Sequence, residues 1–244
     1  MARKIIGIIP ARFQSSRLPG KPLLEIGGRS IVERVFHQAS RVLDEVWVAT
    51  DDQSIYSHVQ KFGQAVMTGA HHLSGTDRIQ EAAQILNTNA DYIINIQGDE
   101  PWIQPGQISE LCSLLDGEVE IATQAREIDE REAGDPNVVK VVLNKKGEAL
   151  YFSRSVIPFS RNEEVTRVIY QHVGIYAYRR DILDQISSLK PAMLEMSESL
   201  EQLRWMENGY RIRVKPTDYF SLGIDTQSDF EKAKQMYLSG KLID

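Results

Sequence analysis

Short apolar runs alternate with amphipathic stretches along the first half of the chain, the pattern of parallel strands joined by helices. Ile5 to Ile9 reads as a buried strand ending at Pro10, Val46 to Ala49 as a second, and Gln64 to Met67 as a third. Tyr92 to Ile96 is a strongly apolar fourth, stopped by Gln97-Gly98-Asp99-Glu100-Pro101. Between them the spacing predicts helices over 30–42, with Ser30 and Glu33 placed as a capping box, over 55–62, and from a cap at Thr76 or Asp77 to about Leu86. Residues 107–115 read as a further helix. Beyond about residue 118 strand-like pieces come one after another: Glu120 to Gln124, Val138 to Leu143, Ala149 to Phe152 and Ile169 to Tyr178. Helices are expected near 180–187 and over 194–208, then a strand at Ile212 to Lys215 and a last helix from Thr226 to Leu238. The order predicts an α/β fold, doubly wound about a mixed, mostly parallel sheet. No repeat, low-complexity tract or flexible linker breaks it, so one domain over 1–244 is expected, in two halves that meet near residue 117.

Composition narrows the class. A 244-residue chain with 42% hydrophobic and 25% charged residues can bury a core that needs no staples. The formal net charge of −6, without a long basic run, argues against a nucleic-acid binder. A single cysteine, Cys112, excludes an intramolecular disulfide framework and a multi-cysteine zinc site, and its apolar neighbourhood predicts a buried structural thiol. The apolar run at Ile5 is too short for a signal peptide, and no window reaches the ~18 apolar residues of a membrane span, so a cytoplasmic location is expected.

In an open parallel sheet, ligands bind beyond the carboxyl ends of the strands, so the residues just past each strand matter most. After the first comes a long loop, residues 10–23, carrying Arg12, Arg17 and Lys21, the hydroxyls of Ser15 and Ser16, and three prolines that restrict it. Cations and main-chain N–H groups in such a loop can cradle a polyphosphate. Neither the P-loop spacing nor Gly-x-Gly-x-x-Gly is present, which removes support for an ATPase and for a dinucleotide-dependent dehydrogenase. Asp99 closes the fourth strand where a carboxylate can hold Mg2+, which takes few protein ligands beside phosphate oxygens; a turn or cap acid is the plain alternative. Asp225 closes a second apolar piece, and helix capping is again its alternative. Ser74-Gly75-Thr76-Asp77-Arg78 could bring a glycine, hydroxyls and an arginine to a nucleotide, or could only cap a helix.

Taken together, Ile9-Pro10-Ala11-Arg12-x-x-Ser15-x-Arg17-Leu18-Pro19-Gly20-Lys21-Pro22-Leu23 resembles the signature loop of the sugar-acid cytidylyltransferases. Ser74 to Arg78, Asn95 to Pro101, Ala149 to Arg154, His172 to Tyr176 and Leu200 to Arg204 extend the resemblance in order along nearly the whole chain, closest to the branch acting on 3-deoxy-manno-octulosonate (Kdo). The resemblance implies a Rossmann-like fold of the nucleotide-diphospho-sugar transferase type. It implies transfer of CMP from CTP to Kdo with release of pyrophosphate, an Mg2+ requirement, a homodimer and a role in making lipopolysaccharide. By position, Ala11, Arg12, Ser15, Arg17 and Lys21 would face the triphosphate, and Gly75, Arg78 and Gln97 the rest of the nucleotide. Asp99 and Asp225 would bind metal, while Arg154, His172, Tyr176, Glu201 and Gln202 would line the sugar pocket. The first half to about 117 would then bind nucleotide, and the second would bind sugar and form the dimer. Met196 stands where members often carry histidine or another polar residue, which leaves an amino-substituted Kdo as an alternative acceptor; a cytidylyltransferase for sialic acid and a non-catalytic nucleotide-binding protein of the same fold are the rival readings.

Overall fold

An unbroken apolar run makes Ile5–Ala11 a strand, β1, whose Ile6, Ile8 and Ile9 are fully buried, as a parallel sheet flanked by helices requires. The computed structural model describes residues 3–14, 17–72, 74–162 and 164–242. The chain forms two compact units, one of Met1–Ser109 with Phe220–Asp244 and one of Glu110–Tyr219. The C-terminal segment therefore belongs with the first unit.

In the first unit a hairpin of β2 (Glu25–Ile26) and β3 (Arg29–Ser30) turns on Gly27 and Gly28, both left-handed at φ 61 and φ 80. A side chain at Gly27 would drive its Cβ into the ring of Tyr237. Helix α1 (Ile31–Ser40) comes next, its Glu33 N–H capped by the Ser30 hydroxyl, the first half of the expected capping box. Then come β4 (Val46–Thr50), α2 (Gln53–Val59), β5 (Gln64–Met67), α3 (Gly75–Ile85), β6 (Tyr92–Asn95) and α4 (Pro105–Cys112). Strands β6, β1, β4 and β5 lie side by side in that order, all parallel. Their carboxyl ends therefore share one edge, and the residues after β1 and β6 emerge next to each other.

The second unit is a mixed sheet. Its strands are β7 (Ile121–Ile128), β8 (Lys140–Leu143), β9 (Ala149–Ser153), β10 (Ile169–Arg179) and β11 (Ile212–Pro216), with helices α5 (Glu130–Ala133), α6 (Arg180–Ser187), α7 (Met193–Glu198) and α8 (Glu201–Glu207). Strand β7 is parallel to β11 and antiparallel to β10, while β8 runs antiparallel to both β10 and β9. The single helix expected over 194–208 is two, because Ser199 takes a left-handed conformation (φ 52) and ends α7. The last helix, α9 (Gln227–Leu238), lies in the first unit, where Ile224, Phe230 and Ala233 share a buried cluster with Leu18, Ile26, Ile31 and Trp102. Among the described residues, no helix is long and apolar enough to cross a membrane.

Candidate active site

A cavity of about 430 Å³ opens at the carboxyl edge of the first unit's sheet. Its walls come from the end of β1 and its loop, the start of α3, the β6 exit, and the residues ahead of α9. The β1 loop is held at both ends. Leu18 and Pro22 are buried, and Gly20, left-handed at φ 67, donates its N–H to the Phe13 carbonyl at 3.0 Å. This brings Lys21 into a short 3-10 turn, Lys21–Leu23, with its side chain only 14% exposed.

The Lys21 ammonium is the centre of the site. It donates to Asp99 Oδ2 at 2.9 Å and to Asp225 Oδ1 at 3.0 Å, and Arg17 reaches Asp225 Oδ2 at 3.2 Å. Two acids far apart in the sequence, Asp99 and Asp225, thus converge on one cationic point. The capping alternative for Asp225 fails, because Thr226 is the residue that caps α9, in a reciprocal box with Asp229. Asp99 caps no helix either; its carboxylate faces Lys21. Among the described residues no group of three or more His, Cys, Asp or Glu is gathered for a metal. A pair of carboxylates at the edge of a polyphosphate-sized cavity nevertheless suits Mg2+, which keeps several waters and phosphate oxygens as ligands.

Backbone closeness explains the glycine of the β6 exit. A Cβ at Gly98 would lie 2.7 Å from the Pro10 carbonyl oxygen, so only glycine lets the ends of β1 and β6 meet here. Gly75 opens α3, whose cap is Ser74, bonded to the Asp77 N–H, in place of the expected Thr76 or Asp77. The positive end of α3 therefore faces the cavity that Ser74 and Gly75 line. Ala11, Arg12 and Gln97 also line it. Ser15 lies outside the described residues. Arg78 lines the cavity, but its guanidinium is already engaged by Asp51 at 3.1 Å, Thr68 at 2.7 Å and the Gly69 carbonyl at 3.4 Å. Its geometry is that of a buried strut that shapes the wall.

No sequence motif marks His72 and Glu81. His72 lines the cavity, its Nε2 lies 2.5 Å from Glu81 Oε2, and the same oxygen accepts the Gly69 N–H at 2.7 Å. Burial alone would raise the Glu81 pKa, but these bonds and the two neighbouring histidines hold it lowered, so it is an acceptor and His72 Nε2 donates. The only signal for the pair in the sequence is proximity to Ser74-Gly75.

Glu100 is the outlier among the acids. Burial pushes its pKa up to about 7; a hydrogen bond from Ser221 opposes the shift and the charge of Asp99 adds to it.

In the second unit β10 carries a bulge. Val173 pairs with Gln124 and Tyr176 with Thr123, so Gly174 and Ile175 drop out of register. In a regular strand, residues four apart are separated by about 13 Å; here the rings of His172 and Tyr176 stand 5.2 Å apart. The Thr123 hydroxyl lies 2.7 Å from the Ile175 carbonyl and 3.0 Å from that of Val173, with His172 Nε2 at 3.2 Å. Since the hydroxyl proton goes to the bulge, the network assigns the proton on His172 to Nε2. Burial lowers the His172 pKa to about 4. Tyr176 is buried, its pKa is raised well above the usual value by burial, with Tyr178 and Glu201 adding to the shift, and its hydroxyl has no hydrogen-bond partner among the described residues. Gln202 is buried on α8 beside Glu201.

Arg154 is held by the main chain. Its guanidinium donates to the Glu198 carbonyl at 2.7 Å, the Pro136 carbonyl at 3.0 Å and the Ser199 carbonyl at 3.4 Å. It ties off the end of α7 and fixes the break before α8. Lys140, fully buried and bonded to the carbonyls of Asp135 and Arg154, is a cation that no motif in the sequence marks. Arg204 forms a two-pronged pair with Glu195, at 2.6 and 2.5 Å. Met196 is 66% exposed on α7. Cys112 is partly buried and burial pushes its thiol up to about 11, so it stays protonated and inert at neutral pH.

His172 carries a prediction for stability. Its folded pKa of about 4 lies below the ordinary histidine value of 6.5, so between these pH values the unfolded chain binds more protons. The stabilisation is complete above about 6.5 and is lost as pH falls through the window toward 4. Thermal melting of His172→Gln is expected to depend less on pH across this window than the wild type; equal dependence would contradict the assignment.

A parallel sheet whose carboxyl edge holds a cation-lined cavity with a convergent acid pair suits a polyphosphate ligand, and the family model for cytidylyltransferases matches residues 6–212. A 3-deoxy-manno-octulosonate cytidylyltransferase of Parabacteroides distasonis is 49% identical over 242 residues, 94% of this chain and 96% of that one. One from Escherichia coli is 46% identical over 238 residues, 96% of each. The solved structure of a CMP:2-keto-3-deoxy-manno-octonic acid synthetase complexed with CTP matches with a TM-score of 0.92 at 45% identity, covering 98% of this chain and 100% of that one. The chain belongs to the cytidylyltransferase family, among the 3-deoxy-manno-octulosonate cytidylyltransferases.

Proposed function

We propose that the chain transfers CMP from CTP to the anomeric hydroxyl of Kdo, giving CMP-Kdo and pyrophosphate for lipopolysaccharide synthesis. The observation that carries the reading is the Lys21 ammonium shared by Asp99 and Asp225 at the nucleotide cavity. In-line attack of the sugar oxygen on the α-phosphorus needs no protein nucleophile; it needs alignment and neutralised charge. Arg12, Arg17 and Lys21 supply the cations along the triphosphate, and Arg17, 64% exposed, is free to turn from Asp225 to an incoming phosphate. The start of α3 at Ser74 and Gly75 offers N–H groups to the nucleotide, and Gln97 its amide. Asp99 and Asp225 are the residues that would hold Mg2+, which when bound offsets phosphate charge and polarises the reacting centre. Arg78 acts by holding the cavity wall.

For the acceptor, His172, Tyr176, Glu201 and Gln202 offer hydrogen-bonding groups suited to sugar hydroxyls. The buried Tyr176 hydroxyl gains a partner when sugar binds. A homodimer is supported by the apolar side chains exposed between β9 and β10: Val156, Phe159, Val165 and Val168, with Phe159 85% exposed. Sedimentation at micromolar protein is expected to give twice the chain mass; a monomer would exclude the dimer.

The test is pyrophosphate release from CTP and Mg2+ with Kdo, with N-acetylneuraminate, or with no acid added. Release is expected with Kdo alone and is expected to stop with a chelator. Release with N-acetylneuraminate in place of Kdo would move the chain to the sialic-acid branch. Turnover that survives chelation would remove Asp99 and Asp225 as metal ligands.

A further inference from the structure

We propose that Ser221 and Glu100 are positioning residues that set the separation of Asp99 and Asp225, and through it the affinity of this chain for a divalent cation. The inference rests on reading those two aspartates as cation ligands. Asp99 sits in the turn that leaves β6 and Asp225 in the stretch that enters α9, and neither stretch belongs to a helix or strand. No ladder fixes them to each other, so their spacing depends on local bonds.

Among the described residues, such bonds include two that join the stretches directly. The Ile224 N–H donates to the Asp99 carbonyl at 2.9 Å, joining the two main chains beside the two carboxylates. One bond leaves the joined segments free to pivot. The second, from the Ser221 hydroxyl to Glu100 Oε2, joins them at another point and removes that freedom. Ile224 is fully buried in the cluster with Trp102 and Phe230, which anchors the segment at the first of the two bonds. On the far side of Asp225, its own N–H is held by Asp229 at 3.2 Å. The carboxylate is thereby bracketed on both sides.

Glu100 has no evident place in the charge cluster. Neither it nor Ser221 lines the nucleotide cavity, and Lys21 bonds to Asp99 and Asp225. A carboxyl group is expensive to bury beside another acid, and such a group is tolerated where its hydrogen bond does something an apolar side chain could not. Here it accepts the Ser221 hydroxyl, four residues ahead of Asp225. Groups that orient the ligands of a metal in this way are typically worth about 10–100-fold in metal affinity.

The test compares Ser221→Thr with Ser221→Val, side chains of nearly equal size that differ by a hydroxyl, together with Glu100→Gln, which keeps an acceptor. Mn2+ binding in the presence of CTP is read by electron paramagnetic resonance, alongside the Mg2+ concentration giving half-maximal pyrophosphate release and the melting temperature. Ser221→Val is expected to bind Mn2+ about 10-fold more weakly and to need about 10-fold more Mg2+. At saturating Mg2+ its kcat should recover and its melting temperature should match that of Ser221→Thr. Ser221→Thr and Glu100→Gln are expected to bind Mn2+ as the wild type does. Equal Mn2+ affinity in Ser221→Val and Ser221→Thr would overturn the inference and leave the cation reading standing. A wild type that binds no Mn2+ with CTP would overturn the cation reading, and the inference with it.

Discussion

Asp99→Asn is expected to lower kcat for CMP transfer by about 10²–10³-fold, the usual loss when one group aimed at transition-state charge is removed. The side chain is 31% exposed and asparagine has nearly its shape, so the melting temperature should barely move. What changes is charge: Lys21 keeps Asp225 as its remaining carboxylate partner, and a cation at the cavity loses half of its anionic support. Asp225→Asn should behave alike. The double variant should lose little more than either single one, since residues that act as a unit are not additive. Steady-state pyrophosphate release at saturating substrates, with melting curves on the same samples, checks all three. Wild-type turnover in Asp99→Asn would end the assignment.

Lys21→Met is expected to separate two properties that usually move together. With the ammonium gone, kcat/KM should fall by about 10²–10³-fold, because positive charge near the triphosphate is lost. Binding of Mn2+ without nucleotide should tighten, since the ammonium that occupies Asp99 and Asp225 competes with any metal for the same oxygens. A parallel loss of turnover and of cation binding would mean that Lys21 organises the acids and does not compete with them.

Much of this is legible in the sequence because the carboxyl edge of a parallel sheet is a fixed address. Once β1 and β6 are read from their apolar runs, the β1 loop with Lys21 and the β6 exit with Asp99 are both assigned to that edge, though only the pairing of β1 with β6 makes them neighbours. Their meeting with Asp225 is not legible, because it depends on the chain returning to the first unit at residue 220. The pairing of His172 with Tyr176 is hidden for another reason. It requires a bulge, and the lone glycine within the strand, Gly174, permits one there without saying which side chains it brings together. The contacts of Arg154 are not legible either, because a motif says which residue is present and not which carbonyls it will meet; three main-chain oxygens engage it. The break at Ser199 escapes notice because a left-handed serine has no sequence signature comparable to glycine.

The return of residues 220–242 also orders events during synthesis. A nascent chain that has reached residue 219 already carries the β1 loop, Lys21 and Asp99, but not Asp225 or the side chains of Ile224, Phe230 and Ala233 that cover Leu18, Ile26 and Trp102. Until the last stretch leaves the ribosome, the loop that handles triphosphate has an uncovered base and a single acid opposite its lysine. Premature termination in this region therefore yields a chain that keeps nearly all its sheet yet has no assembled chemistry. Competence for turnover arrives with the final helix.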